Sequence, residues 1–279
     1  MIFKLIKYEF RSMLRMMGIL WGGLPVMAIV TAAFQKFFAY DGLGEYPAFL
    51  NLMDNLFTFV YISMFIALVT VTVVIIIMRF YKGLIGDEGY LMHTLPVKTW
   101  QLITAKGVTA VTVSVISIAV AVLSILLLSV FEGYLTERMG HFFTEFFGLL
   151  AERPSYWVLG IETMILIIAC LMAMIYKVYA SLSLGQMAPK HKIAFSVAIY
   201  IGISIAGPML MSAFGNVVSG VLENVLQPLE QWVSGLSTEG GVEALVAVSM
   251  LLFIIFEAVL IAVYHIVSEQ SLRRKLNLE

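Results

Sequence analysis

Residues 56 to 78, LFTFVYISMFIALVTVTVVIIIM, run for twenty-three positions without a charged side chain. Coiled at 1.5 Å per residue, such a run is about 34 Å long, enough to cross a hydrocarbon core of about 30 Å. Similar uncharged runs occupy 108 to 130 and 193 to 214. The run at 17 to 34 is less clean because it contains Pro25, which a helix bundle tolerates by re-satisfying the freed backbone groups. Two further runs carry acids: 157 to 176 has Glu162 near its start, and 242 to 264 has Glu243 at its edge and Glu257 deep inside. The β-branched content of VTVTVVIIIM would suit strands in water, but an open strand in lipid leaves its amides unpaired. The runs are also twice the length of barrel strands and do not alternate. We therefore expect an all-α integral membrane protein with six transmembrane helices, the whole of 1–279 forming one transmembrane domain. The chain is 61% apolar and 13% charged, against about 45–50% and 25% in a soluble domain, so it has too little charge to cover a water-soluble fold.

Charge is distributed by side. Six crossings place the N-terminus, 79–107, 177–192 and the C-terminus on one face, and that face collects fourteen of the seventeen basic residues. Only Lys36, Arg138 and Arg153 fall opposite, where most acids lie, among them Asp41, Asp54, Glu132, Glu223 and Glu239. Lys and Arg in short loops stay on the cytoplasmic side, so both termini are expected in the cytoplasm. No compact small-residue cleavage site follows the basic start, and the N-terminus is expected to be retained.

The connecting segments are not featureless. Residues 2–15, IFKLIKYEFRSMLR, set Ile2, Phe3, Ile6, Phe10 and Leu14 at helical spacing among Lys4, Lys7, Arg11 and Arg15, the pattern of an interfacial helix that meets anionic lipid. On the opposite side, apolar positions recur every three or four residues through 217–236. The loop 215–241 is therefore read as an amphipathic segment, surface-lying or re-entrant, broken near Pro228. FFTEFFGLL, 142–150, is a shorter segment of that type. The cytoplasmic loop 79–107, RFYKGLIGDEGYLMHTLPVKTWQLITAKG, is too polar to cross the bilayer and too apolar for a solvated linker. Apolar residues rimmed by charge mark a docking surface or a lipid-lying connector. Leu84, Asp87, Glu88, Tyr90, Leu91, Leu95 and Pro96 are its candidate partner-coupling residues, with a helix restarting near Trp100.

Catalytic patterns are missing. There is no GxxxxGK[ST] phosphate cradle, no HExxH and no GxSxG. His93, His141, His191 and His265 are scattered, Cys170 is the sole cysteine, and neither gives metal-ligand spacing. No catalytic, cofactor-binding or metal residue is expected. The RRK at 273–275 is explained by topology and lipid headgroups, without nucleic acid. Glu257 is open to two readings, a pathway or bundle-locking residue, or a carboxylate that is simply protonated or hydrogen-bonded to a neighbour; Glu162, nearer a helix end, reads first as an interfacial acid.

These features together resemble the permease subunit of bacterial type-2 ATP-binding-cassette exporters (the ABC-2 family). The resemblance rests on LIKYEFRSMLR at the start, on the six spans, on GYLMHTLPVKTWQLITAK at 89–106, with its Gly-Tyr, Leu-Pro-Val and later Lys, and on YASLSLGQMAPKHK at 179–192. Lys98 stands where a helix-capping Ser is usual, which leaves Thr99 as the candidate cap. The resemblance implies an ABC transporter permease in the bacterial cytoplasmic membrane. It would pair with itself or with a related permease, and two separate ATPase subunits, which hold ATP and Mg, would dock beneath. Residues 84–95 would be the coupling element and 2–15 an elbow helix. Two other readings fit the same topology: a non-transporting scaffold or assembly factor, and an ion-coupled carrier using Glu257.

Overall fold

The computed structural model describes residues 2–39, 48–86, 89, 97–132, 155–188, 190–209 and 239–274, with isolated positions in 141–151 and at 212 and 216. The described residues are helical or lie in turns, bends and short connections, and none is in a strand. Among the described residues, six helices are long and apolar enough to cross a membrane. They are α1 (Ile2–Ala39), α2 (Ala48–Phe80), α3 (Thr99–Glu132), α4 (Ser155–Gly185), α5 (Lys192–Met209) and α6 (Glu239–Arg274). The amphipathic segment 217–236 lies outside the described residues. Of 142–150, Thr144, Glu145, Phe147 and Gly148 are described, and they are helical.

α1 corrects one expected boundary. Residues 2–15 are not a separate element, because the helix continues unbroken through Pro25 to Ala39, 38 residues in all. Nothing between Arg15 and Gly18 stops a helix, since Met16 and Met17 are good helix formers. At 1.5 Å per residue α1 is about 57 Å long, well beyond a hydrocarbon core, so its basic first turns extend past the apolar stretch.

The chain divides into two compact units, residues 1–80 with 104–151, and 81–103 with 152–279. In the first unit α1 packs along α2. Met13, Met17, Leu24 and Ala28 of α1 meet Tyr61, Leu68 and Ile75 of α2 and Val113 of α3, with Leu20, Met27, Met64 and Val71 around them. The spacing 13, 17, 20, 24, 27 on α1 and 61, 64, 68, 71, 75 on α2 alternates fours and threes, as left-handed knobs-into-holes packing requires. Lipid tails are as apolar as these side chains, so shape fit and polar contacts, not water exclusion, hold such helices together. The Trp21 indole donates to Ser117 Oγ at 3.0 Å, the Thr72 and Ser117 hydroxyls lie 3.1 Å apart, and Tyr61 and Ser124 share a hydrogen bond of 3.2 Å.

Contact order along the helices gives their directions. Glu9 and Trp21 meet Lys106 and Ser117 in ascending order, so α1 and α3 are parallel. Tyr61 and Thr72 meet Ser124 and Ser117 in descending order, so α2 is antiparallel to α3. In the second unit Thr163 meets Met250 and Cys170 meets Glu257, so α4 and α6 run parallel. A parallel pair separated in sequence by one helix is what an intervening crossing by α5 produces.

Many hydroxyls of the spans are tolerated because they bond within their own helix. Thr31, Thr70 and Thr109 donate to the carbonyls of Met27, Ile66 and Ala105, one turn back. The outward faces carry bare apolar side chains, including Ile19, Phe59, Ile161, Met164 and Leu252, each more than half exposed. Patches of that extent belong against lipid or protein, not water.

Between α4 and α5 the chain turns through Gln186–Ala188, and His191 takes a left-handed φ of 57°. The turn is tight enough that a Cβ on Gly185 would lie 2.7 Å from the Ser196 Cα. Gly185→Ala is therefore expected to lower the thermal denaturation temperature of the detergent-purified protein, through overpacking of about 1–3 kcal/mol. Gly160→Ala, with nothing within 4 Å, is the control expected to leave it unchanged.

Candidate functional site

The expected coupling loop is helical at both ends: the restart expected near Trp100 begins at Thr99, and α2 extends further into the loop than the sequence implies. α2 runs on into a π-helical turn, Tyr81–Ile85, closed by the Gly86 amide donating to the Tyr81 carbonyl at 2.8 Å. Such turns often mark functional positions in helices. Gly89 then folds back: its amide donates to Gly86 O at 2.8 Å, and a Cβ on it would lie 2.8 Å from the Leu84 carbonyl oxygen. Only glycine fits there, which gives the Gly of the 89–106 segment a physical reason. Leu84, expected on the docking face, is fully buried; it supports the turn rather than offering a surface. Asp87, Glu88, Tyr90, Leu91, Leu95 and Pro96 lie outside the described residues.

α3 begins at Thr99. The candidate cap Thr99 is its first helical residue, and Lys98 occupies the cap position. The Lys98 amide donates to Gln101 Oε1 at 3.3 Å, and the Gln101 amide donates to Lys98 O at 2.9 Å. Gln101 thus supplies the reciprocal half of a capping box, which explains how a Lys stands there.

A second feature of this end escaped the sequence. Lys106 Nζ lies 2.5 Å from Glu9 Oε1, with side-chain exposures of 3% and 11%, and also donates to the Arg79 carbonyl at 3.1 Å. The Arg79 guanidinium in turn donates to the Ser12 hydroxyl. This polar joint ties the start of α1 to the last turn of α2 and the first turns of α3, the two helices that enter and leave the loop. Glu9 Oε2 is buried with no hydrogen-bond partner among the described residues, so the ion pair alone compensates most of that charge. The only sequence signal was Glu9, a lone acid among six basic or hydroxyl neighbours in an otherwise basic segment.

The intramembrane acids lie in the second unit. Glu162 stands in the second turn of α4, its Oε2 buried and unpartnered among the described residues. Glu257 lines a cleft of about 630 Å³ formed by α4, α5 and α6. Cys170 Sγ lies 4.0 Å from Glu257 Oε1. The walls are otherwise apolar, with Met174, Ile203, Phe253, Phe256 and Leu260, and Lys177, Ser204 and Tyr264 complete the polar lining. The Lys177 ammonium sits 4.9 Å from the centre of the Tyr200 ring. Glu257 and Glu162 are not brought together. Among the described residues, no group of three or more His, Cys, Asp or Glu is placed to hold a metal ion.

Six long apolar helices, alternating in direction within each unit and carrying exposed apolar faces, define an all-helical multi-pass membrane protein. No protein-family model, curated protein or solved structure matches the chain.

The joint makes a direct prediction. Lys106→Met leaves the Glu9 carboxylate buried without its ammonium and is expected to destabilise the protein by about 3–5 kcal/mol, read as an earlier thermal transition in detergent. Adding Glu9→Gln to the same chain is expected to recover most of the loss. Additive losses in the double variant would show that the two charges do not work as a pair.

Proposed function

We propose that this chain is the membrane-spanning subunit of an ATP-driven exporter in a bacterial cytoplasmic membrane. Both termini and the loop 79–107 face the cytoplasm. Two copies, or one copy and a related permease, form the transport path, and separately encoded ATP-binding-cassette ATPases dock on the loop. ATP and Mg belong to those partner subunits, and this chain has no hydrolytic role. Closure of the ATPase pair pushes on the loop and switches the permease pair between inward-facing and outward-facing arrangements.

The observation that carries this reading is the polar joint at the loop's two flanks. A docking segment that merely tethered a partner would need no fixed connection to the bundle. Here Arg79 on one flank and Lys106 on the other are both held to α1 through Ser12 and Glu9. A force on the loop is thereby delivered to three helices at once. The π turn and the back-folded Gly89 give the loop a stiff root through which that force passes. The resemblance of 89–106 to the permease family adds the identity of the partner, an ATPase.

The test is coexpression with the ATPase encoded beside this chain's gene. Wild-type protein is expected to copurify with it and to stimulate its ATP hydrolysis. Leu91→Glu with Leu95→Glu is expected to abolish both, while the protein remains in the membrane with an unchanged elution profile. Leu84 is left intact because it is buried. Unchanged copurification and stimulation in the double variant would sink the coupling assignment. Membrane partners with no nucleotide chemistry would favour the scaffold reading instead.

A further inference from the structure

We propose that the cleft between α4, α5 and α6 is a binding site for an amphipathic organic cation, with Glu257 as its charge partner. The cleft's 630 Å³ falls in the range of pockets that take drug-sized molecules, about 300–1,000 Å³. Its walls suit an apolar body. α6 presents Phe253, Phe256, Glu257, Leu260 and Tyr264 at three- and four-residue steps, so aromatic rings flank the carboxylate on the same helix face.

The charge balance selects the sign of the ligand. A carboxylate in an apolar setting needs a positive partner or several hydrogen bonds. Among the described residues the hydrogen-bonding contact of Glu257 is with the Cys170 thiol at 4.0 Å, a weak donor at the edge of contact. Among the described residues no Lys or Arg nitrogen lies within ion-pair distance of it. Lys177 lines the same cleft, but it is seven residues beyond Cys170, about 10 Å further along α4, and its ammonium rests on the Tyr200 ring. Lys177 is near enough to act on Glu257 through space, but its ammonium is engaged by a ring and closes no ion pair with the carboxylate, which keeps only the weak thiol contact. A ligand cation would meet Glu257 directly and the faces of the neighbouring rings as well, which attract positive charge. The Ser204 hydroxyl, buried and unpartnered among the described residues, adds one polar contact on the opposite wall. A metal ion is disfavoured, since no further ligands converge among the described residues.

This site needs no ATPase, so its test and that of the exporter reading fail independently. The full-length protein in detergent is titrated with tetraphenylphosphonium, and with tetraphenylborate, which has nearly the same shape and the opposite charge. Saturable binding of the cation is expected, with binding of the anion no stronger than micelle partitioning. Glu257→Gln is expected to weaken cation binding about ten-fold or more, the equivalent of losing one charge-assisted contact. Glu257→Asp is expected to retain most of it, and Lys177→Met, which removes a competing positive charge from the lining, to retain or strengthen it. If Glu257→Gln does not elute as folded protein, Ser204→Leu, which fills the cleft without touching the charge, serves instead and is expected to block binding. Equal affinity for the two ions, undiminished binding in Glu257→Gln, or anion binding lost in Lys177→Met would each overturn the assignment.

Discussion

No water is available in a bilayer's hydrocarbon core to satisfy a peptide group, and that shapes every element of this molecule. Each of the six apolar runs must close its own hydrogen bonds, so each is a helix, and many of the Ser and Thr side chains turn back onto carbonyls of their own helix. The same lack of water removes the usual reason for helices to associate. What remains is shape and polarity. α1 and α2 interlock at alternating four- and three-residue steps, and hydroxyl, indole and ion-pair contacts pin α3 to both.

The polar contacts are unevenly placed, and their placement bears on function. The hydroxyl bridges of Ser117 and Ser124 lie along the middle of the first unit, where they fix the register of neighbouring helices. The only ion pair described there, Glu9 with Lys106, lies at the end where the loop leaves and returns. A buried ion pair is weak evidence for stability, because well-packed apolar residues often do as well. Its value is geometric: the Lys106 ammonium meets the Glu9 carboxylate and the Arg79 carbonyl, and the Arg79 guanidinium meets the Ser12 hydroxyl, only at one relative position of three helices. On the exporter reading, that position is what a docked ATPase would shift.

The spans and their charge bias were legible in the sequence because a long uncharged run in lipid has one structural solution. Much of the rest was not. The boundary expected after residue 15 vanished because no breaker stands between Arg15 and Gly18, and an amphipathic start followed by an apolar run reads equally as one helix or two. The interlocking stripes at 13, 17, 20, 24 and 61, 64, 68, 71 were hidden because their helices are apolar on every face, so periodicity carries no contrast. Glu9 could not announce a partner ninety-seven positions away. Leu84 looked like a docking residue because its neighbours are polar, yet the π turn folds it inward. Glu257 was visible as an acid inside a span; the cleft around it needed side chains from three helices that no local pattern connects.

Both the joint's role and the loop's partner presuppose that the loop faces the cell interior. The most direct measurement is cysteine accessibility in a Cys170→Ser chain carrying Tyr90→Cys in one sample and Asp41→Cys in another, probed with a membrane-impermeant maleimide. Position 41 should react in intact cells and position 90 only after the cells are opened. Labelling of position 90 from outside, or of both positions from the same side, would contradict the arrangement.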